Sequence, residues 1–205
     1  MRRARGSYLA ATVALPGVLA AGVQVKPLML DLCAGLGGAS QAMRDRGWEV
    51  VTVDNDPRFG CDYTADIRAW SWHGPQPDLI WLSDPCTEFA RESMPWSKRG
   101  IAPDLSILLG GLRVIRESQP RAWVRENVRG SVPWVRDILG APREIHGPFL
   151  LWGVFSPLGR PVMRMRKKES YSSTQAAERA KVPYALSLAV ARAVEAQQTF
   201  WKVTR

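Results

Sequence analysis

The sequence predicts an α/β protein built on a doubly wound, mostly parallel sheet, and three observations carry the prediction. Short apolar runs alternate with helical stretches along the 205 residues, the pattern of a sheet whose strands are joined by crossover helices. Glycine turns and small acidic residues follow the apolar runs, where such sheets carry their ligand-binding loops. No internal repeat or low-complexity tract breaks the alternation. The length fits one domain, taken as residues 27–205, because one core commonly serves roughly 100 to 200 residues.

The first strand is the apolar run 27–32, which carries Asp31 near its end; Gly35, Gly37 and Gly38 then turn the chain into a helical stretch, 39–46. Residues 48–53 form the second strand, stopped by Asp54-Asn55-Asp56-Pro57, whose proline and small acids favour turns. A third apolar run, 79–82, is broken by Ser83-Asp84-Pro85. Residues 105–117 read as a helix in spite of Gly110 and Gly111, and 122–124 as a strand leading into Glu126-Asn127. A late strand at 149–155 and a closing helix at 183–196, with alanines and leucines at helical spacing, complete five or more parallel strands with their crossovers.

Composition narrows the function classes. A hydrophobic content of 46% with nine Trp residues argues for a packed core rather than a disordered chain. The formal charge of +9 suits a polyanionic partner, because each Lys or Arg that neutralises a phosphate releases a condensed counterion. Cys33, Cys61 and Cys86 are odd in number and share no CxxC spacing, and His73 and His146 are the sole imidazoles. Neither a disulfide framework nor a metal site is expected, and a reducing cytoplasm fits best. Arg2-Arg3-Ala4-Arg5 followed by the apolar stretch 8–21 imitates a secretory signal, but Pro16 interrupts it and it falls short of the roughly 20 residues a membrane span needs. Residues 1–26 are read as an N-terminal extension, either a packing helix or disordered.

The first candidate constellation binds a cofactor. Asp31-Leu32-Cys33-Ala34-Gly35-Leu36-Gly37-Gly38 sets glycines where a backbone approaches a ligand closely, and Asp54, at the end of the next strand, is placed for ribose hydroxyls. Asp66 offers an acceptor for an exocyclic amine and Ile67 an apolar wall for a purine. The glycines lack the Gly-x-Gly-x-x-Gly spacing that seats a pyrophosphate, which lowers a dehydrogenase reading.

The second constellation is catalytic. Cys86 follows the 79–82 strand and is expected exposed at the sheet's carboxyl edge; Glu126 follows the 122–124 strand at the same edge. The pair matches one chemistry. Carbon 6 of cytosine accepts a thiolate when N3 is protonated or hydrogen-bonded, and the addition makes carbon 5 nucleophilic. Inside a duplex the base must be flipped out, at a cost of a few kcal/mol. The stretch 88–103, with Arg91, Lys98, Arg99 and Gly100, is read as a mobile basic lid over flipped DNA.

With those residues in hand, the chain resembles the cytosine-C5 DNA methyltransferase family over roughly residues 27–197. Asp31 to Gly38 is similar to the family's first motif, with Cys33 where phenylalanine is usual; Pro85-Cys86 matches the nucleophile motif, and Glu126-Asn127-Val128 matches Glu-Asn-Val. The resemblance implies a Rossmann-like fold of the S-adenosylmethionine-dependent methyltransferase type, that cofactor, DNA as partner and no membrane. It implies catalytic roles for Cys86 and Glu126, and cofactor contacts from Asp31, Cys33, Ala34, Gly35, Leu36, Gly37, Gly38, Asp54, Asn55, Asp66, Ile67 and Pro85.

The departures matter equally. Asp84 stands where the family often has proline or phenylalanine, and a nearby carboxylate opposes thiolate formation. The Gln-x-Arg-x-Arg motif is missing, Arg164 and Arg166 being a loose catalytic substitute. No room remains for a target-recognition domain, so sequence specificity is expected to be low or loop-encoded. Arg179 and Lys181 replace neutral residues of the late Gly-Asn-x-Val segment, and a cation at Lys181 suits a cofactor whose methyl carries a carboxylate. Alternative readings are a relative acting on RNA or free nucleotides and a non-catalytic DNA-binding subunit. An amino-methyltransferase is disfavoured because Asp84-Pro85-Cys86 lacks the aromatic its loop requires.

Overall fold

The computed structural model describes residues 26–90, 101–159, 178 and 180–203. In chain order the elements are β1 (Leu28–Leu32), α1 (Gln41–Asp45), β2 (Glu49–Asp54), β3 (Tyr63–Thr64), β4 (Leu79–Leu82), α2 (Ser106–Ser118), β5 (Ala122–Asn127), α3 (Val132–Leu139), β6 (Glu144–His146), β7 (Phe149–Val154) and α4 (Tyr184–Val203). The strands form one seven-stranded sheet in the order β3-β2-β1-β4-β5-β7-β6. Neighbours from β3 to β5 are parallel, while β7 runs antiparallel to both β5 and β6. This is a doubly wound, mostly parallel sheet.

Both faces are covered, which is why the central strands read as continuous apolar runs. Alternate residues of β4 serve opposite faces: Leu79 and Trp81 pack with Met43 of α1 and Leu186 and Val190 of α4, whereas Ile80 and Leu82 pack with Leu108 and Val114 of α2 and Val135 of α3. The two glycines inside α2 each cost about 1 kcal/mol against alanine in an open helix. Here they let the helix approach: a β-carbon on Gly111 would lie 2.5 Å from Leu82, and one on Gly110 2.9 Å from the Arg68 backbone.

Register delivers the site. Leu32 of β1 pairs with Leu82 of β4, and Leu82 pairs with Arg125 of β5. One residue further along, Cys33, Ser83 and Glu126 therefore come out side by side at the carboxyl edge.

Two expectations are corrected. Glu126 and Asn127 do not follow the fifth strand but end it, because Glu126 pairs with Leu151 and Asn127 with Leu150 of the antiparallel β7, a partner that local sequence does not reveal. The first helix is confined to Gln41–Asp45, since the turn begun at the glycines continues through Ser40. The strands β3 and β6 and the helix α3 were not anticipated; two or three residues of β pairing carry too little periodicity to be read. No described helix is long and apolar enough to cross a membrane. The extension 1–25, the basic stretch 91–100, Arg164, Arg166 and Arg179 lie outside the described residues.

Candidate active site

A cleft of about 390 Å³ opens at the carboxyl edge of the sheet. Its walls come from six places: the loop after β1 (Cys33, Ala34, Gly35, Leu36, Gly38, Ala39), the turn after β2 (Phe59), the loop after β4 (Ser83 to Thr87), the end of β5 (Glu126, Val128), the β6–β7 turn (Pro148, Phe149) and the segment before α4 (Ala180, Lys181, Val182). Among the sequence candidates, Cys33, Ala34, Gly35, Leu36, Gly38, Pro85, Cys86, Glu126 and Lys181 are brought together here. Asp31, Gly37, Asp54, Asn55, Asp66 and Ile67 do not line this cleft.

The glycine loop is stapled to the neighbouring strand. The Ala34 amide donates to the Val53 carbonyl at 3.1 Å, and the Gly35 amide donates to Asp54 Oδ2 at 2.9 Å, while Asp54 Oδ1 accepts from the Asp56 amide at 3.0 Å. Both Asp54 oxygens thus organise backbone. Gly35, at φ 51°, occupies the left-handed region that glycine tolerates without cost; Cys33 enters it at φ 57° with a side chain, a locally strained conformation. Gly38 is buried against the segment before α4, where a β-carbon would stand 2.5 Å from Lys181 Cγ and 2.7 Å from the Val182 carbonyl oxygen. That close approach draws Lys181, 143 residues away in sequence, onto the glycine loop.

The acids divide in character. Asp66 is forked by its neighbour Arg68, Nε to Oδ1 at 2.9 Å and Nη2 to Oδ2 at 2.6 Å, at the surface, and Ile67 is buried in the core beside α2. Asn55 is exposed. Asp31 is fully buried, with neither carboxylate oxygen in a hydrogen bond of normal geometry among the described residues. Burial raises its pKa to about 7, with Ser40 and Arg44 nearby offsetting only part of the effect.

A raised carboxyl pKa stabilises the fold at acid pH and loses that contribution as pH climbs towards the folded value. For Asp31 the loss runs from about pH 4 to about pH 7. Asp31→Asn is expected to flatten this slope: between pH 5 and pH 8 the variant should gain about 2 to 3 kcal/mol relative to wild type. Denaturant melts at the two pH values check this; a constant difference between the proteins would contradict it.

Cys86 begins a short 3-10 turn, Cys86–Glu88, and is half-buried rather than exposed as the sequence reading expected. The loop folds back on itself, with the Phe89 and Ala90 amides donating to the Cys86 carbonyl at 3.0 and 2.9 Å, which lowers the thiol into the cleft. Its pKa is pushed up by burial first, then by the charges of Glu126 and Asp84. Glu126, also buried, is raised to about 7 by burial and by Asp84, with Arg125 and a 3.4 Å contact from Ser83 Oγ opposing. A carboxyl poised near neutrality holds a proton for a substrate nitrogen at physiological pH.

Sequence reasoning missed Arg125. Its guanidinium is buried and forks Asp84, Nε to Oδ1 at 2.7 Å and Nη2 to Oδ2 at 3.0 Å, and lies over the rings of Trp152 at 4.6 Å and Phe89 at 5.4 Å. Asn127 adds a second tie, donating Nδ2–H to the Asp84 carbonyl at 2.8 Å. The available signal was the joint appearance of an acid before Pro85-Cys86 and an arginine before Glu126-Asn127.

No family model and no curated protein matches the sequence. Solved structures superpose on parts of it at low similarity. A DNA modification methyltransferase encoded within an E. coli prophage superposes with a TM-score of 0.45 at 17% identity, over 63% of this chain and 47% of that one. The S. pombe Dnmt2 methyltransferase gives 0.39 at 15% identity, over 76% and 54%. The Pyrococcus abyssi tRNA (uracil-54, C5)-methyltransferase, in complex with S-adenosyl-L-homocysteine, gives 0.36 at 16% identity, over 62% and 33%. The chain spans about half the length of the first two, and these proteins are what its sheet is similar to.

Proposed function

We propose that residues 27–205 form a single catalytic domain that transfers a methyl group from S-adenosylmethionine to carbon 5 of cytosine in DNA, with Cys86 as nucleophile and Glu126 as the acid at N3. One observation carries the reading: Cys86, Glu126 and the glycine loop line the same cleft. The glycine loop fits the cofactor, since it offers a close-approach backbone to the cleft and is fastened from beneath by Asp54. When bound, S-adenosylmethionine supplies an electrophilic methyl group.

The chain's own residues do the rest. Glu126, protonated below about pH 7, donates to N3 and draws electron density out of the ring. Once the Cys86 thiol has given its proton to solvent, the thiolate sulfur bonds to C6, which leaves C5 electron-rich. After C5 has taken the methyl group and given its proton to a base, the sulfur departs with the bonding pair and the ring regains aromaticity. The charge of +9 supports a nucleic-acid substrate held mainly through phosphates. Arg164 and Arg166 are proposed to assist at the site on the family resemblance.

Lys181 favours a second reading of the transferred group. Its side chain lines the cleft against Gly38, so a carboxylated methyl on the cofactor would meet a cation there. A charge-assisted hydrogen bond is worth about 1.5 to 3 kcal/mol, enough for a tenfold preference. Nucleoside mass spectrometry of DNA incubated with the protein and both cofactor forms tests the two readings together. 5-Methylcytosine is expected from wild type; 5-carboxymethylcytosine, reduced at least fivefold in Lys181→Ala, would establish the second reading. Unmodified DNA from a protein that binds both DNA and cofactor would favour a non-catalytic binding subunit.

A further inference from the structure

We infer that the buried Asp84–Arg125 pair is a positioning device for the nucleophile: it clamps the Cys86 loop to β5 and sets a cation against the negative charge that Asp84 presents to the thiol. The inference rests on Cys86 being the nucleophile, and it explains one departure from the family pattern, Asp84, by a partner that the fold supplies. An acid before Pro85-Cys86 is unfavourable alone, and so is a cation before Glu126-Asn127; register sets them face to face, because Leu82 pairs with Arg125 two residues ahead of Asp84.

Stability does not account for the pair. Arg125 is 0% exposed and Asp84 4% exposed, and desolvating two charges costs about as much as their attraction returns, so an apolar pair of the same volume would hold the fold as well. What an apolar pair would not do is fix a direction. Two parallel N–H···O bonds to Asp84, the Asn127 bond to the Asp84 carbonyl and the ring faces of Trp152 and Phe89 leave the residue two before Cys86 one orientation. Ser131 Oγ accepts the remaining arginine bond at 3.3 Å.

The charges around the thiol come from several elements. Asp84 belongs to its own loop, Glu126 and Arg125 to β5, and Lys181 to the segment before α4, while Cys33 from the β1 loop shares the cleft. Removing one partner of the pair unbalances this set in a known direction. Without Arg125, Asp84 adds an uncompensated negative charge and the thiolate is disfavoured. Without the Asp84 charge, Arg125 is left as a cation and the thiolate is favoured.

The test is the pH dependence of Cys86 alkylation by iodoacetamide, quantified on the Cys86 peptide by mass spectrometry so that Cys33 and Cys61 do not contribute. At pH 7.5, Asp84→Asn is expected to react several-fold faster than wild type. Arg125→Met should react about tenfold slower, one pKa unit being tenfold in thiolate, and the double variant should return near wild type. A merely structural clamp would shift both single variants in the same direction, by loosening the loop, and that result would overturn the inference. Should Arg125→Met fail to fold, the near-isosteric Asp84→Asn decides alone: unchanged or slower alkylation overturns it. Because the readout is thiol reactivity, its failure is distinct from a failure of the cytosine reading, which the nucleoside products report.

Discussion

Cys86→Ala will reduce cytosine modification to the uncatalysed background while cofactor binding stays at the wild-type level. The expectation follows from how the cleft is divided. Cys86 is one wall residue from the loop after β4, and the glycine loop and Asp54 that would hold the cofactor are fastened to β2 by bonds in which Cys86 takes no part. Alanine removes only the Sγ atom from a half-buried turn, so the fold should persist. Without a sulfur there is no addition to C6, and C5 remains a poor nucleophile. Calorimetry with S-adenosylmethionine and nucleoside mass spectrometry read the two halves separately. DNA containing 5-fluorocytosine should trap wild type covalently, because fluorine does not leave C5 as a proton does. A trapped adduct formed by Cys86→Ala would remove the residue from the mechanism.

Glu126→Gln should slow the chemical step by roughly 10² to 10⁴, the usual contribution of a positioned acid, with little change in cofactor affinity. Glutamine preserves the shape and can approach N3, but it has no carboxyl proton to hold there. The pH profile sharpens the expectation. Glu126 titrates near pH 7 in the folded protein, so above that value the loss of its acid form offsets the gain in Cys86 thiolate and the wild-type single-turnover rate levels off instead of rising. Its ionisation also raises the Cys86 thiol, so the pair gives apparent values that belong to both groups. In the glutamine variant the break near pH 7 should vanish, leaving a rate that increases with thiolate. A wild-type rate that rises unbroken with thiolate from pH 6 to pH 8, or an unaltered rate in the variant, would assign Glu126 to structure alone.

Much of the scaffold was legible because its signals are local. The apolar runs at β1, β2 and β4, the glycines after β1 and the proline after β4 are read within a few residues of each other, and the two-sided burial of a parallel sheet makes such runs continuous. The association of Cys86 with Glu126 was also readable, since one follows and the other ends strands that share a carboxyl edge in a doubly wound sheet. The short pairings of β3 and β6 were not, because a strand of two or three residues is defined by its partner rather than its own pattern.

Residue type and order alone determine that this chain builds an α/β sheet with a glycine loop and a thiol at its carboxyl edge: periodicity, turn chemistry and motif spacing are properties of neighbours in the chain. Tertiary structure alone decides what those groups are like chemically. Asp84 reads as a liability to the thiolate until β4–β5 register, across 41 residues, brings Arg125 onto it. Asp31 reads as a ligand, yet burial makes it a carboxyl near neutrality away from the cleft wall. Lys181 reads in sequence as a cation suited to a carboxylated cofactor, but its place against the glycine loop depends on the absence of a β-carbon at Gly38. In each case the deciding quantities are distance and desolvation, and both depend on which segments the fold packs together.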